Sequence, residues 1–97
     1  MRSFLHSEQY ATFLEEFRDL RVRAKLSQAE LAEKLGIGQD IVSRCEAGRR
    51  RVDVLELQQW AQACGSSLVT FARRLNERTL RNRHPELLRP DGGSKKR

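Results

Sequence analysis

Gln39, Asp40, Ser43 and Arg44 place an amide, a carboxylate, a hydroxyl and a guanidinium within six residues. At the helical step of about 100° per residue all four fall on one side, while Ile41, Val42 and Cys45 fall on the other. One side of such a helix packs and the other is free to touch something. The free side has the chemistry of base-edge recognition. Gln39 can bond adenine in bidentate fashion, and Arg44 can bond guanine N7 and O6 or a phosphate. Ser43 suits either role. Asp40 is ambivalent: it can accept from cytosine N4, but it repels phosphate, and an acid near a helix N-terminus is favourable in its own right. A plain solvated face would hold the same residue types, so the surroundings must decide.

The nearest such neighbour is a cationic run, Arg49-Arg50-Arg51. Charge is unevenly spread along the chain. Residues 1–40 hold six basic and seven acidic groups, whereas residues 41–97 hold thirteen basic and six acidic ones. A near-neutral front and a basic back suit a polyanion partner. Solubility alone would also account for the overall +6. Beside a polar helix face, the arginine run reads as a set of phosphate contacts rather than a solvated loop.

Other chemistries lack their residues. The two cysteines, Cys45 and Cys64, form no CxxC and no Cys/His cluster, so no zinc site is expected. They read as small hydrophobes of a reducing compartment. His6 and His84 are isolated near opposite ends, no Ser/His/Asp or Cys/His grouping stands out, and there is no glycine-rich phosphate loop. An enzyme is not expected, nor a cofactor. No run of 18 apolar residues occurs, and Met1 to Tyr10 lacks the apolar core of a secretory signal. A cytoplasmic protein without a membrane partner is the expectation.

Around the polar face, the chain reads as five helices and no strands. The first runs from about Glu8 to Ala24, with Ser7 as N-cap and a stripe of Tyr10, Phe13, Leu14, Phe17, Leu20 and Ala24. The second opens at Ser27, where Ser27-Gln28-Ala29-Glu30 fits a capping box. Leu31, Ala32 and Leu35 face inward, and Gly36 suits the left-handed turn that ends the helix. The third covers about Gln39 to Ala47. The fourth starts at Asp53, a second capping-box match with Glu56, and presents Leu57, Trp60, Ala61 and Cys64. The fifth starts near Ser66 or Ser67, with Leu68, Phe71, Ala72 and Leu75 on its apolar side and Leu80 as an extension. His84-Pro85 disfavours further helix. This organisation makes residues 1–84 one domain and residues 85–97 a flexible basic tail.

Leu26 to Gly48, LSQAELAEKLGIGQDIVSRCEAG, resembles the helix-turn-helix of Xre/Cro-type regulators and lambdoid phage repressors. The weaker remainder of the match reaches Leu20–Arg21 upstream and Trp60-Ala61 to Gly65 downstream. The matching positions have physical reasons. Ala32 is small where two helices cross, Gly36 permits positive φ, and Ile37 and Val42 fill the space between the helices. The resemblance implies an all-α, five-helix, lambda-repressor-like DNA-binding domain with its helix-turn-helix at helices two and three. It implies that helix three lies in the major groove with Gln39, Asp40, Ser43 and Arg44 as base-reading residues. Gln28 would bond a phosphate and brace Gln39, and Gly38, Arg49, Arg50 and Arg51 would meet phosphates. Arg21 and Glu46 match positions that pair in relatives, tying helix one to helix three. Three departures stand out: Lys25 where relatives often have Gly, Gly38 in place of a Ser or Thr cap, and Cys45 in place of a larger aliphatic residue.

The implied function is a sequence-specific, double-stranded DNA-binding regulator, a repressor acting as a homodimer on a palindromic operator in a bacterial or phage setting, at the nucleoid. Ser67, Leu68, Val69 and Leu75 make the expected dimer surface; Leu68, Phe71 and Leu75 suit the core equally well, with Phe71 assigned to the core and Val69 to the interface. The alternative is the antitoxin of a toxin–antitoxin pair, whose 79–97 segment would fold on the toxin, or a restriction–modification controller. Both bind DNA and the antitoxin also binds a partner protein. Flanking genes would separate these readings.

Overall fold

The computed structural model describes residues 7–83. The 85–97 tail, His6 and the His84-Pro85 step lie outside the described residues. Five helices follow in order: α1 (Glu8–Arg23), α2 (Gln28–Leu35), α3 (Gln39–Glu46), α4 (Val54–Ala63) and α5 (Leu68–Arg83). No strand occurs among the described residues.

The helix starts follow from their caps. The Ser7 hydroxyl accepts from the Tyr10 amide at the head of α1. Ser27 and Glu30 form a reciprocal capping box on α2, and Asp53 and Glu56 form another on α4. Each box satisfies two backbone donors that a helix start would leave unpaired. Ser67 closes the head of α5 by accepting from the Thr70 amide at 3.1 Å.

The join between α2 and α3 takes three residues. Gly36 sits at φ 71°, ψ 32°, and the Ile37 amide turns back to the Ala32 carbonyl at 3.0 Å. Ile37 then packs against the core, and Gly38 leads straight into α3. The equivalent turn after α1 is made by Lys25 at φ 60°. Lys25 thus takes the left-handed conformation for which a glycine is the unstrained residue.

The core gathers one face of every helix: Phe17 and Leu20 of α1, Leu31 and Ala32 of α2, Val42 and Cys45 of α3, Leu57, Trp60 and Ala61 of α4, and Phe71 of α5. Phe17 and Trp60 meet with ring centroids 4.9 Å apart, and Phe13 lies edge-on to Phe71 at 5.6 Å. α3 is therefore anchored by Val42 and Cys45, both completely buried. The Cys45 thiol also accepts from the Arg50 guanidinium at 3.4 Å.

α1 and α5 are held by charge as well as by apolar contact. Glu16, 1 % exposed, accepts from Arg78 Nε at 3.0 Å and from Arg23 Nη1 at 2.7 Å. Arg78 also reaches Glu15 and Asp19. A buried carboxylate is tolerated because two guanidiniums satisfy it. The fifth helix consequently extends to Arg83, well past Leu75. Residues 79–83 therefore belong to this helix.

Candidate nucleic-acid interface

Glu46, the last residue of α3, is the fixed point of the site. Arg21 of α1 donates to it twice, from Nε to Oε2 at 2.7 Å and from Nη2 to Oε1 at 3.0 Å. Gln28, the first residue of α2, donates from Nε2 to the same Oε1 at 3.0 Å. Arg21 gives a further hydrogen bond to the Leu26 carbonyl at 3.0 Å. One carboxylate thus joins α1, α2 and the end of α3, and the fork geometry fixes direction as well as distance. The hydrogen bond to Glu46 raises the Arg21 pKa above its ordinary value, against the opposing effect of burial.

The opposite side of α3 is presented outward. Gln39, Asp40, Ser43 and Arg44 are all exposed. Asp40 Oδ2 lies 3.9 Å from Arg44 Nη1, one helical turn away, so part of the Arg44 charge is already balanced within the helix. Gly38 caps α3 with no side-chain hydrogen bond. A Cβ built there would come within 2.5 Å of Asp40 Oδ1. The small residue leaves room for the Asp40 carboxylate over the helix start, where an acid is favoured.

The arginine run after α3 divides. Arg49 and Arg51 are exposed. Arg50 is turned inward: its Nη2 donates to Glu56 Oε2 at 2.9 Å, and its Nη1 reaches Cys45 Sγ and the Arg51 carbonyl. Hydrogen bonding to Arg50 holds the Glu56 carboxyl below the usual carboxylate range, and the Asp53 amide adds to this. Arg50 therefore ties the loop to α3 and α4, and its guanidinium is paired with Glu56 in the free chain. Gln28 is also paired within the free chain. One of its two amide hydrogens goes to Glu46, and among the described residues no hydrogen bond joins it to Gln39.

Of the residues expected at a dimer surface, Leu68 and Leu75 pack partly against the core. Ser67 is occupied as a cap, and Val69 is 78 % exposed. Phe71 is buried. A second apolar feature is not visible from periodicity: Val54 and Leu55, 62 % and 67 % exposed, lie in the first turn of α4. Val54 forms part of the rim of an apolar groove with Tyr10, Phe13, Leu57 and Leu75.

A short two-helix unit with a glycine turn, a core-anchored second helix and a bracing first helix is the arrangement of a helix-turn-helix. A family model described as helix-turn-helix matches residues 17–71, which covers more than half of the chain and all of α2, α3 and α4. The chain belongs to the Cro/C1-type helix-turn-helix family. As a member it is a DNA-binding transcription regulator with a lambda-repressor-like fold. No curated protein gives a significant match. Among the described residues, no helix is long and apolar enough to cross a membrane, and no group of three or more His, Cys, Asp or Glu side chains is placed to hold a metal ion.

Proposed function

We propose that the protein is a sequence-specific repressor that binds double-stranded DNA as a homodimer, with α3 in the major groove. The observation that carries this is the two-sided character of α3. Val42 and Cys45 are fully buried, Glu46 is clamped from two helices, and Gln39, Asp40, Ser43 and Arg44 stand exposed on the other side. A helix seated this rigidly, with its outer polar groups left out of the core contacts, is suited to reading base edges.

Gln39 and Arg44 carry the strongest readout chemistry, to adenine and guanine respectively. Ser43 supplements either. Asp40 tunes Arg44 and discourages misplaced phosphate. Arg49 and Arg51, with the exposed backbone at Gly38, supply phosphate contacts that fix register. A homodimer would present two α3 helices to half-sites about 34 Å apart on a palindromic operator. Such a regulator would act at the nucleoid, in the cytoplasm of a bacterial cell. Val69 is the exposed apolar residue at the α5 surface, and the Val54–Leu55 turn with its groove offers a second candidate face.

The test is selection of bound duplexes from a random library, repeated with Arg44→Ala. A palindromic consensus with one base position relaxed in the variant is the expected result. Enrichment of no sequence by the wild type would overturn sequence-specific binding.

A further inference from the structure

The end of α1, the end of α4 and the approach to α5 enclose a cleft of about 230 Å³. Its walls include Leu20, Ala24, Cys64 and Ser66, and two guanidiniums line it, Arg23 and Arg74. Four cationic side chains of the described residues are partly buried: Arg21, Arg50, Arg74 and Arg78. Three of them are matched by carboxylates, Arg21 by Glu46, Arg50 by Glu56, and Arg78 by Glu15, Glu16 and Asp19. Arg74 alone among these has neither an ion pair nor a hydrogen bond within the described residues. A half-buried guanidinium that lines a cleft without a carboxylate partner among the described residues keeps its charge available to an anion arriving from outside.

The rest of the cleft suits the same ligand. Ser66 is partly buried, and its hydroxyl has no partner among the described residues, although its amide donates to the Ala61 carbonyl. Arg23 brings a second guanidinium, anchored by Glu16 and so held in place. The head of α5, a helix of 16 residues, begins two residues after Ser66 and adds the positive end of its dipole. Burial pushes the Cys64 thiol above its ordinary range, so at neutral pH that wall carries no charge to repel an anion.

We propose that this cleft is a binding site for a small oxyanion, a phosphate or carboxylate group, gripped by Arg74 and oriented by Ser66 and Arg23. The group can arrive on a free small molecule or on the DNA backbone. The site as assigned takes the free molecule, because none of its residues lies on α2, α3 or the loop that joins α3 to α4. The proposal is independent of how α3 reads DNA.

The test is a titration of the full chain with inorganic phosphate at constant ionic strength, followed by amide chemical shifts and calorimetry. Saturable binding of one phosphate per chain is expected, with Gly65, Ser66 and Leu68 shifting together. Arg74→Gln should weaken it at least about tenfold, as expected when a charge-assisted hydrogen bond is removed, and the exposed Arg73→Gln should leave it unchanged. Absence of saturable shifts at those amides, or equal weakening by both variants, overturns the site. The second arm is the salt dependence of DNA binding. An unchanged slope in Arg74→Gln is expected. A slope reduced by about one counterion would assign Arg74 to the DNA backbone and overturn the free-anion site.

Discussion

Arg21 grips Glu46 through two hydrogen bonds of 2.7 and 3.0 Å, one to each carboxylate oxygen, across 25 residues of sequence. Their side chains are 13 % and 5 % exposed. Removing one partner leaves a largely buried charge without its counter-ion. Glu46→Gln or Arg21→Gln should therefore cost about 3 kcal/mol of stability. The double variant Arg21→Gln/Glu46→Gln should lose clearly less than the sum of the single losses. Denaturant unfolding of the four proteins checks this; additive losses would show that the pair is not coupled.

Lys25 at φ 60° closes α1 in a conformation that costs an L side chain roughly 1–2 kcal/mol. Glycine removes that strain but adds freedom to the unfolded chain. Lys25→Gly should net about 0.5–1 kcal/mol of stabilisation and raise the melting midpoint by about 4 °C. An unchanged or lower midpoint would mean that the Lys25 side chain contributes more than its backbone strain removes.

Much of this architecture can be read in the chain because its signals are local. Ser27 with Glu30, and Asp53 with Glu56, announce helix starts by a three-residue spacing that needs no knowledge of the rest of the fold. Gly36 announces the turn, and the stripe from Tyr10 to Leu20 announces a buried face. The Arg21–Glu46 pair is approachable only through likeness to a family. The pairings that the sequence hides are long-range or depend on rotamers. Arg78 finds Glu16 across 62 residues, and no periodicity links them. Three consecutive arginines look alike in sequence, yet Arg50 turns inward because Glu56 and Cys45 lie within its reach. Gln28 likewise meets Glu46 because α2 and α3 cross there.

Glu56 accepts from Arg50 and from the Asp53 amide, and both bonds hold its pKa down. A depressed carboxyl stabilises the fold above its unfolded pKa, near 4.3 for an ordinary Glu, and that contribution is lost as pH falls through the lower folded value. The Glu56 carboxyl resonance should thus titrate below the ordinary Glu range. Arg50→Gln should move the midpoint upward, since the largest cause of the shift is removed. A midpoint indifferent to Arg50 would detach the pair from the pH response.

The dimer surface can be located with two charges. Val69 and Leu55 are 78 % and 67 % exposed, so Val69→Glu and Leu55→Glu should both leave the monomer folded. If the α5 surface pairs, Val69→Glu should shift the sedimentation equilibrium toward monomer and weaken operator binding, while Leu55→Glu leaves both unchanged. The reverse pattern would move the interface to the first turn of α4 and its groove. Dissociation by neither variant would remove both faces.

The arginine loop allows a sharper test than removal of the whole run, because its members have different surroundings. Eliminating one phosphate contact should lower the slope of log affinity against log salt by about one. Arg49 is exposed, so Arg49→Gln should flatten the slope and weaken binding about equally on all sequences. Arg50 directs its guanidinium to Glu56 and Cys45, so Arg50→Gln should leave the slope nearly intact and act through stability. Asp40 offers the opposite sign. Its carboxylate lies 3.9 Å from Arg44, and Asp40→Asn removes both that competitor and a charge that repels phosphate. Affinity should rise at low salt and discrimination between sequences should fall. If Arg49→Gln and Arg50→Gln flattened the slope equally, the Arg50–Glu56 pair would have to open on DNA, and the loop would be a more mobile clamp than its hydrogen bonds in the free chain indicate.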